Sequence, residues 1–497
     1  MSGASEPRRE LVSDSIAAGL IFALALTLGQ RIIGFGRGIL FCRLMTDQEL
    51  GQWSMVWSYL MLLAPLAVLG LPGCFGKYAE YYRQRGQLKT FIIRVAILSG
   101  FMTGLMAAAI LVFPESFAWF LFRDPTQANL VLWIALALIF VTASNFISSL
   151  LESLRQVRAV TIMRFLTGLG FAAAGVGLLW STQLGAGAAT LGFTAGCLLG
   201  IVPAAWVLWT YRESLGDSGA WLTHSTMWKK IAPFAIWLWA SNLLNNLFEI
   251  SDRYMLIHWS PTSAQLAQGA VGQYHSGRVV PLLLVSVAAM LAGVLMPYMS
   301  EAWEAGKKVK AQRQLNWTVK LTSIAFTSGG VLILLLSPLL FDWILQGRYN
   351  DGRAVLPLTL VYCVWMSLHT VGQDYLWVAE KGKWATAATG VGLVANIGLN
   401  LALIPTMGLH GAVLATACGN LTIVLIMFTL NHWFGCRTDT GIWLCAAFPL
   451  LLILGAWQAT LALAALLTVT VWTEWVFTAQ EKQDLLAQFQ ARWKSIA

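Results

Sequence analysis

Long apolar stretches separated by short polar breaks run through almost the whole chain, from Ile16 to Val476. Each is about 20 residues long, enough for an α-helix to cross a hydrocarbon core of about 30 Å. We therefore predict an all-α polytopic membrane protein of about 14 transmembrane helices, with no soluble domain between them. The first stretch has no small-residue cleavage site and is interpreted as a retained helix, not a signal peptide. The predicted spans are residues 14–42, 51–72, 90–113, 127–150, 158–180, 186–210, 230–258, 270–299, 316–340, 354–379, 384–405, 408–431, 441–456 and 459–478.

Composition supports the membrane class and excludes several functions. The residues are 58% hydrophobic and 11% charged, whereas soluble chains are about 25% charged. The net charge of +9 resides in short loops and forms no contiguous face, so no nucleic-acid partner is expected. The seven cysteines are scattered without a C-x-x-C pair or nearby histidine ligands, so we expect no metal, disulfide or cofactor.

Basic residues mark one side of the predicted bundle. With the N-terminus in the cytoplasm, the basic loops all fall on the cytoplasmic side, as the positive-inside rule requires. We therefore predict a multi-pass protein of the bacterial inner membrane with both termini cytoplasmic. The basic loops contain Lys77, Arg83, Arg85 and Lys89; Arg155 and Arg158; Arg212, Lys229 and Lys230; Lys307, Lys308, Lys310 and Arg313; Lys381 and Lys383.

Short motifs recur at an offset of about 220 to 225 residues, which is typical of a duplicated bundle. Leu-Gly-Gln-Trp at 50–53 matches Val-Gly-Gln-Tyr at 271–274, and two further pairs keep the same register. An offset of six helices preserves orientation, so we predict two six-helix lobes, residues 1–218 and 219–435. A pseudo-twofold axis along the membrane normal would leave a central cleft between them.

The last two predicted helices fall outside this repeat. Residues 436–497 are assigned to helices 13 and 14 and to an amphipathic cytoplasmic tail that begins at Gln480.

Arginines inside the predicted spans are the main candidates for binding. An arginine near the bilayer centre costs about 2.5 to 3.5 kcal/mol, so it usually faces water or a partner. Arg31 and Arg278 lie in different lobes at similar depth, Arg37 lies nearer the outer mouth, and Arg253 is in helix 7. The guanidinium fork matches phosphate oxygens, so these four residues are predicted to bind an anionic substrate. The alternative is that each pairs with a local acid, as Glu249 and Arg253 are spaced to do, or extends to the interface.

Acidic residues in the spans are candidate sites for a coupling ion, H+ or Na+. Asp252 and Glu249 lie in helix 7, and Asp374 lies with His369 in helix 10. The first lobe has no internal carboxylate of the kind that a cation-coupled drug exporter would use.

The chain resembles the polysaccharide and oligosaccharidyl-lipid flippases of the multidrug/oligosaccharidyl-lipid/polysaccharide exporter superfamily. The resemblance covers residues 14–435 and is densest at Gly-Arg-Tyr-Asn-Asp-Gly-Arg-Ala-Val-Leu-Pro (347–357), Asn-Ile-Gly-Leu-Asn (396–400) and Gly-Leu-His-Gly-Ala (408–412). It implies a transporter that moves an undecaprenyl-diphosphate-linked oligosaccharide, a polysaccharide or lipopolysaccharide O-antigen precursor, to the outer leaflet by alternating access. Expected partners are this lipid-linked oligosaccharide, membrane lipids and other polysaccharide-assembly proteins.

Two alternatives remain from the sequence. The first is a cation-coupled multidrug antiporter of the same superfamily. The second is a membrane-embedded polysaccharide polymerase, which is disfavoured because the external loops are short. No nucleophile triad, paired carboxylates or phosphate-cradling loop is recognisable, so we predict that the protein is not an enzyme.

Overall fold

The computed structural model describes residues 16–210 and 222–483, and this part of the chain is helical without β-strands. It forms two compact units, Met1–Gly272 and Gln273–Ala497. The helices up to the unit boundary are α1 (Ile16–Leu44), α2 (Asp47–Ala67), α3 (Phe75–Arg83), α4 (Leu88–Val112), α5 (Pro114–Phe122), α6 (Ala128–Ser153), α7 (Val157–Ser181), α8 (Ala186–Thr210), α9 (His224–Trp259) and α10 (Ala264–Arg278). The helices that follow are α11 (Leu282–Glu304), α12 (Lys308–Pro338), α13 (Asn350–Ala354), α14 (Leu356–Gly372), α15 (Asp374–Val378), α16 (Gly382–Trp433), α17 (Thr440–Ala447) and α18 (Ala456–Trp472).

Glycines bring α7 and α8 together along their length in the first unit. A Cβ added at Gly196 would lie 2.5 Å from the carbonyl oxygen of Thr167, and one at Gly200 would lie 2.7 Å from that of Met163. A larger side chain at either position would push the helices apart. Gly196 and Gly200 are therefore packing residues of this helix pair.

The second predicted span is bent where the sequence turns through Leu-Gly-Leu-Pro at 69–72. Leu69 and Gly70 have φ of 51° and 70°, and a 3-10 turn leads into α3 at an angle of 60° to α2. The left-handed conformation suits glycine, and Pro72 cannot donate a backbone hydrogen bond. Helix α9 packs on α2 and on this bend, and the Tyr78 hydroxyl of α3 donates to the Lys230 carbonyl at 3.1 Å.

Loops that the positive-inside rule assigns to the outer side meet one another in the first unit. Arg123, after α5, donates to the carbonyl oxygens of Ile257, Ser260 and Thr262 at 3.2 to 3.3 Å. The Tyr78–Lys230 contact joins two segments that the rule assigns to the cytoplasmic side. These contacts agree with the predicted grouping of these loops by side.

Helices α2 and α10 approach through a reciprocal pair of glycines. A Cβ at Gly51 would lie 1.8 Å from the carbonyl oxygen of Gln268, and one at Gly272 would lie 1.9 Å from that of Asp47. One shift of 221 residues carries Gly51 to Gly272 and Asp47 to Gln268. A twofold axis through the crossing produces such reciprocity, because each residue then meets the counterpart of its partner.

The eighth predicted span, 270–299, is wrong as a single helix. Helix α10 ends at Arg278, residues 279–281 form a turn, and α11 begins at Leu282. Pro281 explains the break, since its ring removes a donor and disfavours helical backbone at the residue before it.

The glycine motif at 347–357 has a structural role in the second unit. The amide of Gly352 donates to Gln273 Oε1 at 3.0 Å, and a Cβ at Gly352 would lie 2.5 Å from the Gln273 carbonyl oxygen. The end of α10 therefore rests directly on this motif.

Helix α16 contains both spans 384–405 and 408–431, because the chain folds back at Gly408. Gly408 has φ 53° and ψ −125°, outside the helical region. The Asn396 amide reaches Thr416 Oγ1 at 3.3 Å across the two arms. The predicted pair of helices is therefore present as a hairpin.

Polar contacts attach the C-terminal helices to α12 and α14. Lys320 of α12 is 0% exposed and donates to the carboxylates of Asp439 and Glu481. The Trp365 indole of α14 donates to the Ala446 carbonyl at 2.7 Å. Most of the predicted amphipathic tail, and the predicted cytoplasmic termini, lie outside the described residues.

Seven described helices are long and apolar enough to cross a membrane, or eight if the bent pair α2–α3 is one span. Helix α9 is not among them because polar residues interrupt it, and α14 has only 17 residues. The number 14 and the lobes 1–218, 219–435 and 436–497 stay predictions. Helix α9, which the prediction assigns to the lobe 219–435, lies in the first compact unit.

Candidate functional site

Arg31 lies near the middle of α1, with 15 residues before it and 13 after it. At 1.5 Å per residue it is about 20 Å from either end of the helix, so it lies well inside the predicted first span. Its side chain is exposed, and a Cβ added one turn later at Gly34 would meet nothing within 4 Å. This face of α1 is therefore exposed at Arg31 and has room for a larger side chain at Gly34.

Arg37 differs from Arg31 because aromatic rings cover it. Its guanidinium lies 3.7 Å from the ring centroid of Phe171 and 5.9 Å from that of Phe41. A cation over an aromatic face is favourable. This stacking holds Arg37 against α7. An anion that bound Arg37 would have to contact the guanidinium while it stays stacked on Phe171.

Helix α9 carries a polar stripe at its centre that the sequence analysis missed. Asn242 and Asn245 are exposed, Asn246 is half-buried, and the Asn246 amide donates to the Asn242 carbonyl at 2.8 Å. With Glu249 these residues recur at spacings of three and four, so they share a helical face. The same spacing is visible in the sequence and would have identified the stripe. Carboxamides donate and accept hydrogen bonds, as recognition of sugar hydroxyls requires.

Arg253 is engaged within the first unit. It is 5% exposed, donates to the Ser58 hydroxyl of α2, and pairs with Glu249 at 3.5 Å. The pairing that the sequence left as the alternative is therefore present. Asp252 is also buried, and its Oδ1 accepts from the Arg253 amide at 2.8 Å.

Arg278 is an internal cation of the second unit and is 4% exposed. Its guanidinium lies 5.1 Å from the ring centroid of Tyr274 and 5.9 Å from that of Tyr362. It ends α10 directly before the Pro281 break. A ligand could reach this cation only if the adjoining backbone moved.

Asp374 and His369 lie on either side of the junction between α14 and α15. Asp374 is 5% exposed, and its Oδ2 has no hydrogen-bond partner among the described residues; the same holds for His369 Nδ1. A buried polar atom without a partner is costly. Both atoms are therefore positioned to receive a water, proton or cation.

The α16 hairpin encloses a second polar cluster, consisting of Asn396, Asn400, Thr416 and Asn420, all buried. The Asn400 amide donates to Asn396 Oδ1 at 3.1 Å, and the Asn420 amide donates to the Thr416 carbonyl at 2.9 Å. Asn400 Oδ1 and Asn420 Oδ1 have no hydrogen-bond donor within the described part of the chain. Oxygen atoms of this kind suit a hard cation or an ordered water. The sequence had pointed to the 396–400 motif only as a mark of the fold.

Comparison with known proteins assigns the family. Residues 16–303 match the family model described as polysaccharide biosynthesis protein. The chain belongs to this family. It is 27% identical over 152 residues to the lipid II flippase MurJ of Bacillus subtilis, which covers 30% of this chain and 28% of that protein. It is also 27% identical over 252 residues to the uncharacterised B. subtilis membrane protein YabM, covering 48% of this chain and 46% of YabM. The chain thus matches less than half the length of these curated relatives.

Solved structures show that this family member has a transporter fold. MurJ in its inward closed conformation aligns with a TM-score of 0.65 and 14% identity over 88% of this chain and 92% of that one. An inward-facing multidrug resistance MATE transporter of the MOP superfamily aligns with a TM-score of 0.64 and 14% identity, covering 83% and 97%. The protein is a multi-pass membrane protein with the MOP superfamily fold. The predicted polysaccharide biosynthesis family and the helical polytopic class are confirmed.

Proposed function

We propose that this protein is a flippase that carries an undecaprenyl-diphosphate-linked oligosaccharide from the cytoplasmic to the outer leaflet by alternating access. Its part in the cycle is to bind, orient and release, without chemical change to the substrate. The family of polysaccharide biosynthesis proteins supports this substrate class.

The observation that carries the proposal is the exposed polar surface near the centres of α1 and α9, which are predicted to span the membrane. Exposed Arg31 on α1, and exposed Asn242 and Asn245 on α9, lie near the centres of their helices. Placing them against lipid tails would cost several kcal/mol, so these faces are expected to line a water-filled path. A guanidinium suits a diphosphate, and carboxamides suit the attached sugars.

The other arginines enter the proposal in different roles. Arg37, stacked on Phe171, is assigned to contact the anion at the outer end of α1. Arg278 is assigned to contact it only after rearrangement at the α10–α11 break, since its guanidinium is enclosed at rest. Arg253 positions α9 on α2 through Ser58, and we assign it no direct substrate contact.

A coupling ion, H+ or Na+, completes the proposed cycle. The buried oxygens of the α16 hairpin are the candidates for Na+, and Asp374 with His369 is the candidate for H+. Asp252 and Glu249 are weaker candidates because both are already engaged with Arg253.

Fold likeness does not separate this proposal from multidrug transport, because MurJ and MATE align equally well. The exposed charge of Arg31 favours the flippase instead. A cationic binding surface attracts a diphosphate and repels the lipophilic cations that are typical drug substrates.

The test is translocation by the full-length protein in proteoliposomes that contain a fluorescent polyprenyl-diphosphate oligosaccharide, read as protection from an external quencher. Arg31→Gln should reduce the rate at least tenfold, because one phosphate contact is lost at the bilayer centre. Arg31→Lys should recover only part of the rate, since it keeps the charge but loses the fork. Arg43→Gln, at the exposed end of the same helix, is the matched control and should keep the wild-type rate. Normal translocation by Arg31→Gln would reject the anionic path.

A further inference from the structure

A groove between α11 and α12 lies outside the surfaces assigned above. It has a volume of about 660 Å³, within the range of small-molecule sites in proteins. One wall carries Leu291, Val294 and Tyr298 of α11, and the other carries Lys310, Trp317 and Leu321 of α12, among others. Both helices belong to the second unit.

The chemistry of the groove changes along its length. Lys310 and Arg313 are near the start of α12, Trp317 follows one turn later, and Leu321 lies one turn beyond. From Lys310 to Leu321 the helix rises about 16 Å, close to half of a hydrocarbon core of about 30 Å. The groove is thus basic, then aromatic, then aliphatic, in the order that a single leaflet presents phosphate, interface and tails.

Two polar atoms on the groove wall have no protein partner among the described residues. Trp317 Nε1 and Gln314 Oε1 are buried without a hydrogen bond. An indole N–H normally finds an acceptor when it is buried. Trp317 is about 6 Å along the helix from Arg313, towards the aliphatic end. Diacyl lipids carry ester carbonyls between their phosphate and their tails, so they supply an acceptor at that level.

We propose that this groove binds an anionic diacyl glycerophospholipid such as phosphatidylglycerol. Lys310 and Arg313 contact the phosphate, Trp317 donates to an ester carbonyl, and Leu291, Val294 and Leu321 hold an acyl chain. The ester contact favours a phospholipid over a polyprenyl diphosphate, whose isoprenoid chain joins the phosphate directly and has no carbonyl. The positive-inside rule places the groove in the cytoplasmic leaflet.

The experiment measures lipid binding to the purified full-length protein by native mass spectrometry, titrating phosphatidylglycerol, phosphatidylethanolamine and undecaprenyl phosphate. Phosphatidylglycerol should bind most tightly. The double variant Lys310→Ala/Arg313→Ala should weaken phosphatidylglycerol binding on the order of tenfold, because two cations near the phosphate are removed. The matched control Lys307→Ala/Lys308→Ala removes two exposed lysines of the same segment that do not line the groove, and it should bind as wild type.

Trp317→Phe isolates the ester contact, because it keeps an aromatic ring and loses the N–H. It should weaken the binding of phosphatidylglycerol about threefold, the effect of one net hydrogen bond. The binding of dodecyl phosphate, which has no ester, should be unchanged. Equal binding of all three lipids, or of wild type and the Lys310/Arg313 variant, would overturn the proposal. Tighter binding of undecaprenyl phosphate, insensitive to Trp317→Phe, would assign the groove to a polyprenyl lipid instead.

Discussion

Asparagine has opposite roles at two places in this protein. On α9, Asn242 and Asn245 are exposed and available to a large ligand. In the α16 hairpin, Asn400 and Asn420 are buried, and their side-chain oxygens have no hydrogen-bond donor among the described residues. Only a small ligand such as an ion or a water could bind there. The same amide group thus suits sugar recognition in one environment and ion or water binding in the other, because burial decides what can reach it.

The buried asparagines give a prediction about ion coupling. Asn400→Leu with Asn420→Leu removes both oxygens without a donor, so any dependence of translocation on Na+ should be lost. Asp374→Asn removes the titratable carboxyl, so any dependence on a proton gradient should be lost in that variant instead. The measurement is the translocation rate in proteoliposomes with an imposed Na+ or pH gradient.

Each variant is the control for the other, because both alter a buried polar site in the same unit. If a Na+ gradient accelerates the Asn400/Asn420 variant as much as wild type, the hairpin is not the Na+ site. A pH gradient that still drives Asp374→Asn would likewise remove Asp374 from the proton pathway.

At the scale of elements, α2 and α10 cross with almost no space between their backbones. Gly51 and Gly272 leave no space for a Cβ against the opposing carbonyl oxygens. Gln52 Nε2 adds a hydrogen bond to Gln268 Oε1 at 2.9 Å. Gly51 is the fifth residue of α2 and Gly272 the ninth of α10. Predicted spans 2 and 8 both begin near these glycines on the predicted outer side, so this crossing closes the first unit there.

Enlarging either glycine should therefore loosen that end. Gly51→Ala is expected to destabilise the crossing by about 1 to 3 kcal/mol, the usual cost of overpacking, and Gly272→Ala should behave alike because the contact is reciprocal. Spin labels at Gln48→Cys and at exposed Leu266→Cys, which keep Gln268 in place, should report a longer distance in both variants than in the parent.

Gly293→Ala on α11 is the matched control, since its Cβ would meet nothing within 4 Å. It should leave the label distance and the translocation rate unchanged. An unaltered distance in Gly51→Ala would show that the helices tolerate the methyl group and that the glycines do not determine the closure.

For the whole molecule, apolar periodicity predicted the class and most helices, because a bilayer accepts only segments that satisfy their own backbone hydrogen bonds. The two arms of the hairpin at Gly408 also followed from local residues, as predicted spans 384–405 and 408–431. Local patterns could not show which distant groups meet. Lys320 finds Asp439 and Glu481 across more than a hundred residues, and α9 packs with the first unit. Arg253 was placed in a binding surface because its contact with Ser58 is not visible in sequence.

Orientation is the remaining property of the whole molecule that the sequence predicts. The segment around Lys307 carries four basic residues, whereas residues 114–126 between predicted spans 3 and 4 carry one, Arg123. Since basic loops are retained in the cytoplasm, a cysteine at Lys307 should resist a membrane-impermeant maleimide in intact cells and react after permeabilisation. A cysteine at exposed Glu115 should react in intact cells. Six native cysteines are buried and Cys418 is half-buried. Labelling of the parent chain, which keeps these cysteines, therefore measures the background signal. Labelling of Lys307→Cys from outside would show that the topology is the reverse of the predicted one. The proposed flippase would then take its substrate from the opposite leaflet.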